Sequence, residues 1–116
     1  MGHNGGLSLK KIKDSMYEFE IEVKDIHLNT GKIAHGGFLS TIADTGMGIA
    51  AHEVASSKRC VTISLDIKFI SAALLGEILK GKVTILRKTN TLVFVSCEIT
   101  SQKVIITHSS GIWKIL

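Results

Sequence analysis

Residues Tyr17 to Lys24 alternate without a break. Tyr17, Phe19, Ile21 and Val23 point one way, and Glu18, Glu20, Glu22 and Lys24 the other. A period of two marks a half-buried β-strand. Ile26 and Leu28 either extend it or begin a second short strand. From Gly36 the period changes. Leu39, Ile42, Ala43, Ile49 and Ala50 recur at helical spacing, which predicts an α-helix over about 36–54 with one buried face. Ser56-Ser57-Lys58 reads as its exit.

Four β segments come after the helix: Cys60 to Ser71, Glu77 to Lys88, Thr91 to Ser101 and Lys103 to Leu116. The first places Val61, Ile63, Leu65, Ile67 and Phe69 on one face and Thr62, Ser64, Asp66 and Lys68 on the other. Thr91 to Ser101 is apolar on both faces, which predicts a central strand. Ser109-Ser110-Gly111 interrupts the last segment and reads as a bulge. Lys88-Thr89-Asn90 and Ser101-Gln102-Lys103 are short hairpin connections. Proline is absent, so nothing forbids long strands. The order is therefore one strand, one helix and four antiparallel strands, an α+β chain with a single helix on one sheet face. The other face is expected to carry Val, Ile and Phe, which argues for a homodimer or larger assembly. One domain over 1–116 is expected. Its residues 1–14 form an extension, poorly ordered at the start, then a short helix through Lys13.

A second stripe on the helix, Gly37, Thr41, Asp44, Gly48 and Ala51, also has helical spacing. Four of its residues are small, so another backbone is expected to pack there, with Asp44 inside the contact. Desolvating a carboxylate is costly unless something uses it. Ahead of the helix, His35-Gly36-Gly37 turns loop into helix. The first helical N–H groups lack intrahelical acceptors and carry the positive end of the dipole, and glycine lets a ligand come close. One helix thus offers anion-stabilising donors at its start and a candidate base about two turns on.

Composition narrows the function classes. The formal charge is +4, and the 14 Lys and Arg residues are scattered apart from Lys10-Lys11-x-Lys13 and Arg87-Lys88. Aromatic content is 5%, which leaves no stacking surface for nucleic acid. The lysines read as a solvated face or as contacts for a polyanionic cofactor tail. Cys60 and Cys97 read as reduced thiols of a cytoplasmic protein. No pair among His27, His52 and His108 has metal-ligand spacing, so no metal is expected. No apolar run is long enough to span a bilayer, and the N-terminus lacks a signal sequence. Gly2 is not followed by the Ser or Thr of a myristoylation site, since Gly6 stands there.

The pattern Asn29-x5-His35-Gly36-Gly37-x6-Asp44, followed by Thr62, resembles the hotdog-fold acyl-CoA thioesterases of the PaaI-like type, in the 4-hydroxybenzoyl-CoA thioesterase superfamily. Ser71-Ala72-Ala73 resembles the family's Ser-Pro-Ala, with Ala72 replacing proline, and Thr91-Leu92-Val93-Phe94 its Thr-Leu-x-Phe strand. The likeness spans about residues 17–116. It implies a long helix wrapped by a five- or six-stranded antiparallel sheet, and hydrolysis of acyl-CoA to free acid and CoA. The Gly36 N–H would face the thioester oxygen, with Gly37 beside it. Asn29 and His35 would position that oxygen or the leaving sulfur. Asp44 would act as base or nucleophile, from the opposite subunit, and the Thr62 hydroxyl would orient water. The CoA tail would lie over Arg87, Lys88, Thr89, Asn90 and Thr91 and the segment from Phe69 to Ser71. CoA is part of the substrate, so no separate cofactor is implied. A homodimer, and a dimer of dimers, would form. Two other classes share the fold: hotdog dehydratases or hydratases, and non-catalytic acyl-CoA-binding proteins.

Overall fold

A computed structural model describes residues 7–116. Among these residues six strands are present: β1 (Lys10–Lys13), β2 (Met16–Glu22), β3 (Cys60–Phe69), β4 (Ile78–Lys88), β5 (Leu92–Ser101) and β6 (Val104–Ile115). One helix, α1 (Gly36–Val54), lies between β2 and β3. All neighbours pair antiparallel in the order β1-β2-β4-β5-β6-β3. β5 is interior, as its two apolar faces predict. The predicted helix matches its observed bounds.

The helix lies on the face formed by Val83, Val93, Val95, Cys97, Ile99 and Trp113, all buried. Against them it sets Leu39, Ala43, Met47 and Ala50. One large side chain fixes its closest approach. Phe19 on β2 stands opposite Gly81 on β4, and its ring fills the space where a Cβ at Gly81 would sit 2.1 Å away. The same ring meets Gly46 of α1, where a Cβ would lie 2.7 Å from it. Glycine on both sides of the ring lets helix and sheet approach, and core packing leaves no slack for a methyl group.

Several expectations need correction. The segment through Lys13 is not a helix. Lys10–Lys13 is a strand on β2, and Leu7 before it is buried in the core. The expected disorder at the start of the extension falls on residues 1–6, outside the described residues. Asp25–His27 form a 3-10 turn rather than a strand. Ser109, Ser110 and Gly111 are not a bulge, because each pairs with both β3 and β5. Gly111 is there because the Trp113 ring lies over it, 2.6 Å from where a Cβ would be. The register shifts elsewhere: at Ile12 in β1, Ile63 in β3, Leu86 in β4 and Ile106 in β6.

The shift at Ile63 reassigns the faces of β3. Thr62 stands opposite Trp113, while Leu65 and Ile67 stand opposite Gly111 and Ser109. Opposed residues share a face. Thr62 therefore looks toward the helix together with Leu65 and Ile67, although simple alternation separates them. Two side chains between Thr62 and Leu65, rather than one, account for the change.

The uncovered sheet face is also not the apolar surface expected. Lys10, Glu18, Lys82, Glu98, His108 and Lys68 stand opposite one another in that order across all six strands. Beside them Lys80 pairs with Glu20 at 3.8 Å and Lys68 with Asp66 at 3.0 Å. Opposite charges on neighbouring strands attract, and their exposure keeps this face hydrated. Exposed apolar surface runs instead along the edge strand β3, where Val61, Ile63 and Leu65 are 40%, 54% and 38% exposed. It continues through Phe69, Ile70, Leu74 and Leu75.

Candidate functional site

Asn29 builds the loop ahead of the helix. Its Oδ1 accepts the N–H of Gly31 at 2.8 Å and of Ile33 at 3.3 Å, and its own N–H donates to the Ile33 carbonyl at 2.8 Å. The side-chain oxygen is thus committed to the turn, which leaves the amide NH2 as the group able to donate elsewhere. Two backbone bonds anchor the residues between this turn and the helix. Ala34 donates to the Ala73 carbonyl and His35 to the His27 carbonyl, each at 2.8 Å. His27 is held in turn by the Lys24 N–H on its Nδ1 at 2.9 Å and by stacking on Phe38 at 3.8 Å between ring centroids. Burial, and then the Lys24 charge, push the His27 pKa down.

His35 is the N-cap of α1 and makes no side-chain cap bond. The first-turn N–H groups at Gly36 and Gly37 therefore keep their positive end open. A Cβ at Gly36 would meet only the Phe69 ring at 3.6 Å, and one at Gly37 nothing within 4 Å. A cleft of about 320 Å³ lies here and brings together Asn29, Gly36, Phe69 and Ser71.

Asp44 lies elsewhere. It is half-buried, and its Oδ1 accepts the Thr62 hydroxyl at 3.1 Å. The pair borders a second cleft, of about 600 Å³, shared with Gly48, His52, Arg59, Cys60 and Trp113. The expected backbone packing against the small stripe is not found within the chain. Gly48 faces the Trp113 indole, and Gly37 and Thr41 are exposed. Along one helix, Gly36 and Asp44 are separated by eight residues, about 12 Å of rise. A base and an oxyanion site acting on one carbonyl must both lie near 3 Å from the reacting atoms. A single chain does not provide that.

Arg87 and Lys88 end β4, and Thr89, Asn90 and Thr91 form the turn into β5. The Thr89 hydroxyl accepts the N–H of Leu92 at 2.9 Å and of Thr91 at 3.2 Å, which holds the turn closed. The turn lies at the end of the sheet where β3 begins, since Leu92 and Val61 both stand opposite Lys114. Phe69 lies at the other end of β3, opposite Thr107. At about 3.3 Å per residue they are roughly 25 Å apart. One chain therefore does not place its basic turn beside its own Phe69–Ser71 segment.

Sequence reasoning missed Arg59, Cys60 and Trp113 as neighbours of Asp44. The one signal for them was the lone tryptophan two positions after Gly111 on a strand. Both cysteines are free thiols. Burial raises the Cys60 pKa and pushes Cys97 up to about 12, so neither is poised as a thiolate. Among the described residues no three His, Cys, Asp or Glu side chains gather as a metal site, and no helix is long and apolar enough to cross a membrane.

The family model of the thioesterase superfamily matches residues 31–106. A Pseudomonas aeruginosa protein named "Putative esterase" is 30% identical over 94 residues, 80% of this chain and 70% of its own length. The PaaI protein of the E. coli phenylacetic acid degradation operon superposes with a TM-score of 0.85 at 19% identity, covering 96% of this chain and 80% of its own. A hypothetical thioesterase protein of Streptococcus pneumoniae, crystallised with coenzyme A, gives 0.85 at 22% identity, covering 95% and 88%. At these identities the superpositions establish the hotdog fold: one main helix on a six-stranded antiparallel sheet.

Proposed function

Since the chain belongs to the thioesterase superfamily, we propose that it hydrolyses acyl-CoA thioesters at a site completed by two copies of itself. One observation carries this reading. The Asn29–Gly36 cleft and the Asp44–Thr62 pair are separated along the molecule, and so are the basic turn and Phe69–Ser71. In both cases one member lies near the start of β3 or above it, and the other near its end. A two-fold axis pairing the exposed edge of β3 with the same edge of a second copy reverses the strand. It therefore brings each half toward its complement. The apolar Val61, Ile63 and Leu65 on that edge, and its unpaired backbone groups, favour such pairing.

In the composite site the thioester carbonyl oxygen sits at the Gly36 and Gly37 N–H groups, and the NH2 of Asn29 donates beside them. His35 stands next to the leaving sulfur. Asp44 of the second copy takes a proton from water whose oxygen attacks the carbonyl carbon. The resulting oxyanion is held at the helix N-terminus. Collapse breaks the C–S bond, and the Asp44 proton passes to the CoA sulfur. Direct attack by the carboxylate, followed by hydrolysis of the anhydride, uses the same groups. The Thr62 hydroxyl donates to Asp44 and leaves a lone pair to accept the water. Arg87, Lys88, Thr89, Asn90 and Thr91 receive the phosphates of the CoA tail. Further association into a dimer of dimers would use surfaces other than the β3 edge, and the row of charges on the outer face offers little apolar area for it. A cytoplasmic location accords with two free thiols.

The reading is tested by free-thiol release from a panel of acyl-CoAs with wild type and Asp44→Ala. Release that requires Asp44 supports hydrolysis. Tight acyl-CoA binding without release would favour a binding protein, and water addition to an enoyl-CoA a hydratase.

A further inference from the structure

We propose that the cleft beside Asp44 is a polar acyl subsite, and that the substrate's acyl group carries a hydrogen-bond-accepting oxygen a few bonds beyond the thioester. The proposal rests on the thioesterase reading above and adds the class of acyl group. Its centre is Trp113. The residue is 2% exposed, yet it lines the cleft, and its indole N–H makes no hydrogen bond among the described residues. The N–H is not among the buried unpartnered atoms, so the donor opens to the cleft, where a ligand oxygen would take the place of water.

The surroundings share this chemistry. Thr62, whose hydroxyl bonds Asp44, stands directly opposite Trp113 in the sheet, so the indole is one residue's width from the base. Gly48, one helical turn beyond Asp44, leaves the indole N–H uncovered. A Cβ at that position would lie 3.4 Å from Nε1. Arg59 adds a second, cationic donor to the cleft wall. His52 is occupied in a 2.8 Å bond between its Nε2 and the Ser57 carbonyl, which holds the helix exit that frames the cleft. A plain alkyl chain would cover Trp113 and Arg59 without satisfying them. Sites built to bond a polar group discriminate against analogues that lack it.

The test compares hexanoyl-CoA with 4-oxohexanoyl-CoA and 5-oxohexanoyl-CoA, which differ only by the carbonyl oxygen. Wild type is expected to favour at least one oxo substrate by about tenfold in kcat/KM. Gly48→Ala sets a methyl group over the indole N–H at an ordinary contact distance, so the helix should still fold. In that variant the ratio between oxo and plain substrates should fall to about one, whatever the absolute rates. Equal kcat/KM for all three substrates in wild type, or a preference that survives Gly48→Ala, overturns the subsite while leaving thioester hydrolysis intact. Trp113 is the single tryptophan, so its emission also reports binding directly. If no thioester is cleaved, the hydrolase reading fails, and titration with hexanoate and the two oxo acids decides the cleft. Tighter binding of an oxo acid, lost in Gly48→Ala, supports it; equal binding overturns it.

Discussion

Thr62 Oγ1 donates to Asp44 Oδ1 at 3.1 Å, joining the edge strand to the middle of the helix. The bond orients a half-buried carboxylate that otherwise faces an open cleft. Asp44→Ala is expected to keep the fold and lower turnover by two or more orders of magnitude, about 3 kcal/mol of barrier. Thr62→Ser should retain most activity and Thr62→Val lose about tenfold. Near wild-type thiol release from Asp44→Ala would remove it from the mechanism.

Asn29 and Asp44 should serve one site from different chains. Asn29→Asp keeps the oxygen that builds the turn and loses the NH2 donor. Mixed in equal amounts with Asp44→Asn chains and allowed to exchange, it should recover about a quarter of wild-type activity, because half the dimers are hybrid and each has one intact site. Two inactive parents that stay inactive after proven exchange would place both residues in one chain's site.

The β3 edge should hold the two copies together. Ile63 is 54% exposed there. Ile63→Lys sets a charge on that edge, a device that blocks strand pairing. Sedimentation should show a shift to monomer, with activity falling in parallel. A monomer that hydrolyses acyl-CoA at the full rate would contradict the shared site.

Arg87 and Lys88 are exposed, so each phosphate contact is worth on the order of 1 kcal/mol and weakens with salt. The phosphates lie far from the thioester, so these contacts act on substrate and transition state alike. Arg87→Ala with Lys88→Ala should raise KM several-fold with kcat nearly constant, and should leave a short thioester lacking the nucleotide unaffected. Equal losses on both substrates would place the tail elsewhere.

His27 supplies a pH dependence. Burial lowers its pKa below 6.5 in the folded chain, so the neutral ring is the form the fold holds. Its contribution is fully present above the unfolded value and is lost as pH falls through the folded pKa. Thermal stability of the wild type should therefore drop between pH 7 and 5 more than that of His27→Gln. Parallel pH profiles for the two proteins would show that His27 does not titrate with unfolding.

Periodicity was enough to locate the helix to the residue and to place β5 inside the sheet, because both depend on local spacing of apolar side chains. The run Asn29, His35, Gly36, Asp44 was legible as a thioesterase pattern for a similar reason: its members lie within one loop and one helix. Polar alternation also foretold β2, whose glutamates face solvent and whose Phe19 and Tyr17 face the core.

Register and partners were decided in three dimensions. Ile63 looks like any alternating residue in the sequence, and only its pairing with β6 shows that it is extra. That single shift turns Thr62 toward Asp44. No count of local apolar positions could report it, since the strand it slips against lies three strands further along the chain. The charged row from Lys10 to Lys68 is likewise spread over six strands and exists only in their register. The short β1 strand lacked its own signal because Lys10–Lys13 is exposed throughout and is held by the backbone of β2. The chain's local spacing determined its elements and its candidate chemistry. Long-range strand pairing decided which faces those elements present, and hence that Asp44 meets Thr62 and Trp113 while Gly36 stays beyond its reach within one chain.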